Sequence, residues 1–281
     1  MKKIFCLILV VLMLVPMMAS CTKIADDDKT TITERGTLRV GMECDYAPFN
    51  WKQDTSSDRT VALADGGYAD GYDVQIAKKI AEGLGVTLEI VPMIWNGLTP
   101  ALQAGDIDMI IAGMSPTAER KLTIDFSDNY YQSTLVIVVK KDGAYADATK
   151  LSDFSGAKIT GQINTFHYSV IDQITGVNKQ TALATFSGMI VALKSGDIDG
   201  YISEKPGAVS AITSNPELSY VEFSEGNGFT ASTDDTAVAV GVRKDSNITA
   251  DINTVLDGIT TEQREQMMID AVANQPSSDA E

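Results

Sequence analysis

The chain is poor in the residues that staple or metallate a protein: its 281 residues include three cysteines and one histidine. His167 cannot build a zinc site by itself, since such sites take three or four protein ligands; it is expected at an exposed loop or helix position. Cys6 and Cys21 lie in or just after the apolar N-terminal segment, which leaves Cys44 without a disulfide partner. A core can hold a chain of this length without bridges, so Cys44 is expected to be a small buried hydrophobe near a strand end. Positive charge is also scarce, with 22 Lys+Arg against 38 Asp+Glu and a net charge of −16. Two of those lysines fall in the first twenty residues, so the remainder carries 20 basic against 38 acidic residues, or −18. Such a surface repels nucleic acid and anionic headgroups. No basic patch interleaved with aromatics is present, and nucleic-acid binding is set aside. Also missing are a nucleophile elbow, a His-x-x-x-His pair and a glycine-rich phosphate loop with lysine. No enzyme activity and no cofactor or metal is expected. After the N-terminus no apolar run reaches membrane-spanning length.

At the N-terminus itself, Lys2 and Lys3 precede an apolar stretch over residues 4–15, and Met18-Ala19-Ser20 leads into Cys21. This is the plan of an export signal over 1–20. Small residues before a cysteine resemble the lipobox of bacterial lipoproteins, although Met18 stands where Leu or Val is more usual. Cys21 is therefore the expected lipidation site, with 21–32 a polar tether to the membrane.

The strongest internal signal is a repeat. LQAGDIDMII at 102–111 returns ninety-one positions later as LKSGDIDGYI at 193–202, with six of ten residues matching. Each copy reads as a helix end, a glycine stop suited to the left-handed conformation, and a short apolar strand of the kind buried on both faces. Two similar α/β lobes follow from this. The first copy leads to Gly113, Ser115 and Arg120, the second to Ser203 and Glu204. A guanidinium in one lobe and a carboxylate in the other suit a zwitterion.

Around the repeat, strands are expected at 38–42, 86–91, 107–112, 134–140, 158–161, 198–203 and 236–242, and helices at 72–84, 95–104, 117–122, 166–174, 187–194, 248–256 and 261–273. Residues 50–67 read as a surface loop or small hairpin. The β-branched strands at 134–140 and 236–242 bracket the second α/β series, as two chain crossings between lobes would. The expected organisation is a first lobe of 33–133 and 237–275, a second lobe of 134–236, crossings near 131–137 and 233–240, and a flexible tail over 276–281.

Several ordered motifs are similar to the family 3 extracellular solute-binding proteins, amino-acid receptors of ABC importers. VGMECDYAPF at 40–49 resembles their first strand and aromatic loop, GYDV at 71–74 their G-F-D segment, AGMSPTAER at 112–120 their carboxylate site, and IDFSDNYY at 124–131 their approach to the hinge. The resemblance spans about 33–273. It implies a two-lobed type II periplasmic-binding-protein-like α/β fold with a two-strand hinge. It also implies a free amino acid as ligand, an ABC importer as partner, and a monomer tethered to the bacterial membrane on its outer side.

By the same resemblance Tyr46 and Trp95 form aromatic walls, Ser115 and Arg120 take the α-carboxylate, Thr165 belongs to the second-lobe loop, and Glu204 accepts the α-ammonium. Glu43 matches the acidic position that meets cationic side chains. Ala112 and Gly113 stand where relatives carry serine, so only their backbone groups can contribute. Phe166 stands where a polar residue is frequent, and Glu204 where Asp is more usual. Glu43 tilts the ligand toward lysine, arginine, ornithine or histidine, while the acidic surface and Phe166 leave neutral polar amino acids open. The alternatives are a dehydratase-like enzyme on the same fold, with Glu43 or Glu204 as general acid, and the sensing subunit of a signalling complex.

Overall fold

The computed structural model describes residues 27–276; the expected signal, Cys21 and most of the tail lie outside them. The repeat performs the same backbone task twice. The helix Trp95–Ala104 ends at Gly105 (φ 81°), whose N–H reaches the carbonyls of Ala101 and Leu102; the helix Phe186–Ser195 ends at Gly196 (φ 87°), reaching Ala192 and Leu193. The next aspartates close the same turn, Asp106 N–H to Ala101 O at 2.9 Å and Asp197 N–H to Ala192 O at 3.0 Å. The second aspartate of each copy then pins its strand to a neighbour. Asp108 donates its N–H to Arg39 O and accepts from Arg39 N–H, both at 2.8 Å. Asp199 makes the same pair with Lys158, again at 2.8 Å each.

Each repeat feeds a five-stranded sheet. In the first, Thr37–Met42 lies parallel between Thr87–Pro92 and Met109–Ile110; Ala237–Val242 joins antiparallel to Met109–Ile110, and Asp125–Gln132 antiparallel to Ala237–Val242. In the second, Lys158–Thr160 lies parallel between Asn178–Lys179 and Gly200–Glu204, and Leu135–Lys140 runs antiparallel between Gly200–Glu204 and Leu218–Val221. The chain thus leaves the first sheet after Gln132 and returns at Ala237. These two crossings are bonded side by side, with Gln132 opposite Ala237 and Ser133 N–H on Thr236 O at 2.9 Å. Alternation along Leu135–Lys140 separates two apolar clusters: Leu135, Ile137 and Val139 face one, Val136 and Val138 the other, as the period of two in a strand requires.

Four expectations are corrected. Residues 50–67 are not merely a loop or hairpin: Asn50–Gln53 and Val61–Ala62 join Asp45–Tyr46 and Tyr68–Asp70 in a third, four-stranded antiparallel sheet. Residues 28–32, expected as the end of a tether over 21–32, lie instead in the helix Asp28–Arg35, with Ile32 buried. Arg243, mostly buried, ties it down, bonding Asp28 while giving a second hydrogen bond to Ile107 O at 2.8 Å. The expected helix at 117–122 is a single 3-10 turn, Arg120–Leu122. Pro276, expected in the flexible tail over 276–281, is held: Gln275 donates to Ser210 O at 3.0 Å, and Pro276 O accepts from Ser214 at 3.3 Å. Those bonds carry the last helix, Thr261–Asn274, onto Lys205–Ser214 of the second unit. No helix among the described residues is long and apolar enough to cross a membrane.

Candidate functional site

Arg120 follows the strand of the first repeat and Glu204 ends that of the second, one in each of the two sheet units. Arg120 follows Ser115 and Pro116 at the end of the first repeat's strand, and its Nη1 donates to Ser115 O at 2.8 Å. Its guanidinium carbon lies 5.0 Å from the centroid of the Trp95 ring, a cation–π distance. Asn164, from the second unit, bridges the gap with one carbonyl that accepts from Arg120 Nη2 at 3.4 Å and from Trp95 Nε1 at 3.3 Å. Asn164 has φ 57°, a left-handed turn that asparagine tolerates better than most residues. Burial brings the Arg120 pKa down to about 10, opposed by the negative charges of Glu204 and Glu119, so it stays cationic at neutral pH. The 3-10 turn changes one part of the chemistry. There is no α-helical N-terminus at Thr117 to draw a carboxylate; the Thr117 hydroxyl instead accepts from Arg120 N–H at 3.4 Å.

Glu204 ends the strand Gly200–Glu204 and begins the helix Lys205–Ser214. It is 2% exposed, and a carboxylate so buried needs partners. His167 Nε2 sits 2.9 Å from Oε1, and the Tyr46 hydroxyl donates to Oε2. Burial pushes the Glu204 pKa up, but the His167 charge and the hydrogen bonds from His167 and Tyr46 outweigh it and hold the carboxyl below its ordinary value. His167 is thus not the exposed residue expected: it is buried, with its ring edge on Phe186 at 5.7 Å and 86°. Its place two residues after Thr165, one helical step past the loop, was the available signal.

Glu43 is half-buried and accepts from Gln162 Nε2 at 3.0 Å, another bond across the gap. Burial pushes its pKa up to about 7, against the Gln162 bond and with help from Asp45. Thr165 is buried and donates to Gln162 O at 2.7 Å, closing the loop that carries both. Ser115, Ala112 and Gly113 are buried at the strand end. Gly113 has φ 61°, and a Cβ there would lie 2.8 Å from the Tyr46 ring, so glycine is required twice over.

A cleft of about 640 Å³ opens beside these groups, lined by Trp95, Met114, Arg120, Thr165, Phe166 and Asp235 among others. That is within the size of small-molecule sites, ~300–1,000 Å³. Of the ten ligand residues expected, Trp95, Arg120, Thr165 and Phe166 line it. Tyr46 instead lines a smaller recess of about 250 Å³ with Phe186 and Gly207. Glu43, Ala112, Gly113, Ser115 and Glu204 line neither of these two; Glu204 contacts Tyr46, which lines the recess, while the Glu43 partner Gln162 lines neither. Sequence reasoning did not single out Gln162, Asn164, Phe186 or Gly207, whose roles come from contact with the opposite lobe. No cluster of three or more metal-ligating side chains occurs among the described residues.

Two sheets joined by paired crossings, with a polar cleft between, define a type II periplasmic-binding-protein fold. The bacterial extracellular solute-binding proteins, family 3, match residues 38–270, and the chain belongs to that family. A probable histidine-binding protein of Campylobacter jejuni is 33% identical over 196 residues, covering 69% of this chain and 70% of the relative. An amino acid ABC transporter substrate-binding protein from Streptococcus pneumoniae bound to L-arginine superposes with a TM-score of 0.76 at 28% identity, over 88% of this chain and 98% of that one. AncCDT-1, an ancestral amino-acid-binding protein and precursor of cyclohexadienyl dehydratase, superposes with a TM-score of 0.72 at 28% identity, over 87% and 99% of the chains.

Proposed function

We propose that this chain captures a free L-amino acid between its lobes and delivers it to an ABC importer. The observation that carries the reading is the division of charge, with Arg120 in the first unit and Glu204 in the second, together with the bond from Arg120 across the gap to Asn164 O of the second unit at 3.4 Å. An amino acid's two charges sit on groups bonded to the same carbon. Arg120 offers the planar fork that suits a carboxylate, and Glu204 an acceptor for the ammonium. Ser115 supports Arg120, Trp95 and Phe166 wall the side chain, and Thr165 holds the loop that meets it. The lobes (33–133 with 237–275, and 134–236) open and close about the bonded crossings near 131–137 and 233–240. Since each lobe holds half of the head-group site, ligand favours the closed form by its differential affinity.

The ligand is a polar or cationic amino acid. Glu43 supports the cationic choice: a carboxyl that sits near pKa 7 gains charge when a guanidinium, ammonium or imidazolium approaches. The chain acts as a monomer held on the outer face of the bacterial membrane by a lipid on Cys21. The test is a thermal-shift panel of the twenty L-amino acids and ornithine. Shifts with arginine, lysine, ornithine or histidine support the reading; a shift with glutamine alone removes the cationic preference, and no shift with any removes the reading. The AncCDT-1 neighbour gives a dehydratase a specific footing, and turnover of a cyclohexadienyl substrate by the purified protein would replace binding with catalysis.

A further inference from the structure

Tyr46 does not stand on the wall of the larger cleft. It reaches out of the first lobe into a socket of the second. Phe186 stacks on its ring at 4.2 Å between centroids and 14° between planes, and Phe49 continues the stack on the other side at 5.1 Å. Gly207 borders the ring's edge: a Cβ there would lie 2.8 Å from Ser203 Oγ, 3.3 Å from Tyr46 Cε2 and 3.5 Å from the hydroxyl. Gly113 clears the opposite edge from within the first lobe. Both side chains that hold the Glu204 carboxylate are buried, but they arrive from different places. His167 belongs to the same lobe as Glu204 and travels with it; Tyr46 belongs to the other lobe and leaves when the gap opens.

Resting on the assignment of Glu204 as the ammonium acceptor, we propose that Tyr46 is an internal occupant of the acceptor end of the site. Its hydroxyl holds Glu204 when no amino acid is bound, and the α-ammonium of an incoming amino acid displaces it. A charged N–H donor binds a carboxylate more strongly than a neutral O–H donor, so the exchange runs forward, but the gain is reduced by the hydrogen bond given up. Tyr46 therefore sets affinity by competing with the ligand, and His167 keeps Glu204 aimed into the gap through the exchange.

The test is calorimetry of the parent and Tyr46→Phe with L-arginine, L-histidine and L-glutamine as probes, extended to the other L-amino acids if none of these binds. The phenyl ring keeps the stack with Phe186 and removes only the competing hydroxyl. Binding three- to thirtyfold tighter in Tyr46→Phe is expected; equal or looser binding overturns the displacement while leaving the amino-acid reading in place. Gly207→Ala presses on the same socket from the opposite lobe without touching Tyr46 chemistry. By small-angle scattering with no amino acid added, both variants are expected to show a larger radius of gyration than the parent, and unchanged radii overturn the latch. If none of the twenty amino acids binds the parent, the acceptor assignment falls and the displacement falls with it.

Discussion

The two copies of the repeat share a backbone device and differ in what they deliver. In both, a left-handed glycine stops a helix and an aspartate clamps the next strand to its parallel neighbour through two hydrogen bonds. Past the clamp they diverge. Asp108 is 1% exposed and collects Arg39 at 3.1 Å as well as Arg35, while the half-exposed Asp199 has its hydrogen bond from the Lys158 backbone. One residue beyond the last matched position plus one more, Gly113 turns the first strand away toward Ser115 and Arg120; its counterpart in the second copy is Glu204 itself. The resemblance ends where the chemistry starts. Duplicated geometry supplies two equivalent platforms, which end in groups of opposite charge, Arg120 after the first and Glu204 on the second.

The largest expected effect falls on that opposition. Arg120→Ala should weaken amino-acid binding by ~2–5 kcal/mol, because the ligand carboxylate is left unpaired in a closed cleft. Glu204→Leu should do the same to the ammonium end. Calorimetry with the best ligand from the panel measures both, and an affinity unchanged in either variant removes that residue from the head-group site.

Next is the asymmetry of the two clamps. Asp108→Ala strands Arg35 and Arg39 beside a buried site and should destabilise the fold by about 3 kcal/mol. Asp199→Ala removes one backbone acceptor at a half-exposed position and should cost about 1 kcal/mol. Urea unfolding of the two variants compares them directly; equal losses would mean that the arginine cluster adds nothing to the first copy.

Glu43 offers a pH-dependent contrast with Glu204, the acid held by His167 and Tyr46. Its pKa is raised to about 7 from an ordinary 4.5, so the folded chain binds more protons than the unfolded chain between those values. Stability therefore falls as pH rises from about 4.5 and levels off above about 7. Glu43→Gln keeps an acceptor for Gln162 and removes the charge. It should match the parent below pH 4.5 and exceed it by about 1–3 kcal/mol at pH 8 after allowance for screening. Melting curves at the two pH values decide this, and a parent as stable as the variant at pH 8 would mean that Glu43 is not desolvated. Glu204 is shifted the opposite way, so its ionised form is present across the same window.

Much of the frame was legible because it is written in local chemistry. The helices Tyr72–Leu84 and Trp95–Ala104 follow from an apolar stripe and a terminal glycine, and the repeat pointed to two α/β units. The region 117–122 misled because Pro116 and a threonine look like a helix start, yet Arg120 turns its side chain back onto Ser115 O and the turn stops after Leu122. Residues 28–32 read as tether because they are mostly polar, whereas the helix there is held by the apolar Ile32 and by Arg243, more than two hundred positions away. Of the proposed site, Arg120 and Glu204 were singled out from the repeat strands they follow or end. Phe186 and Gly207 were not, since what they do depends on Tyr46 arriving from another part of the chain, and His167 offered only its place two residues after Thr165. Local pattern carries no record of such meetings.

The smallest expected effect concerns what the copies share. Gly105 and Gly196 have nearly equal φ, 81° and 87°; nothing lies within 4 Å of a Cβ on Gly105, and only Lys140 Nζ, at 3.6 Å, lies near one on Gly196. Space is therefore not at issue at either position, and alanine pays only the left-handed backbone cost, ~1–2 kcal/mol, offset in part by the smaller freedom of the unfolded chain. Gly105→Ala and Gly196→Ala should each lose about 1 kcal/mol and agree to within about 0.5 kcal/mol, with ligand affinity unchanged in both. Paired denaturation curves test the agreement. If Gly196→Ala were neutral while Gly105→Ala cost 2 kcal/mol, the two helix stops would not be one device used twice, and the equivalence of the platforms would have to be abandoned even though their strands align.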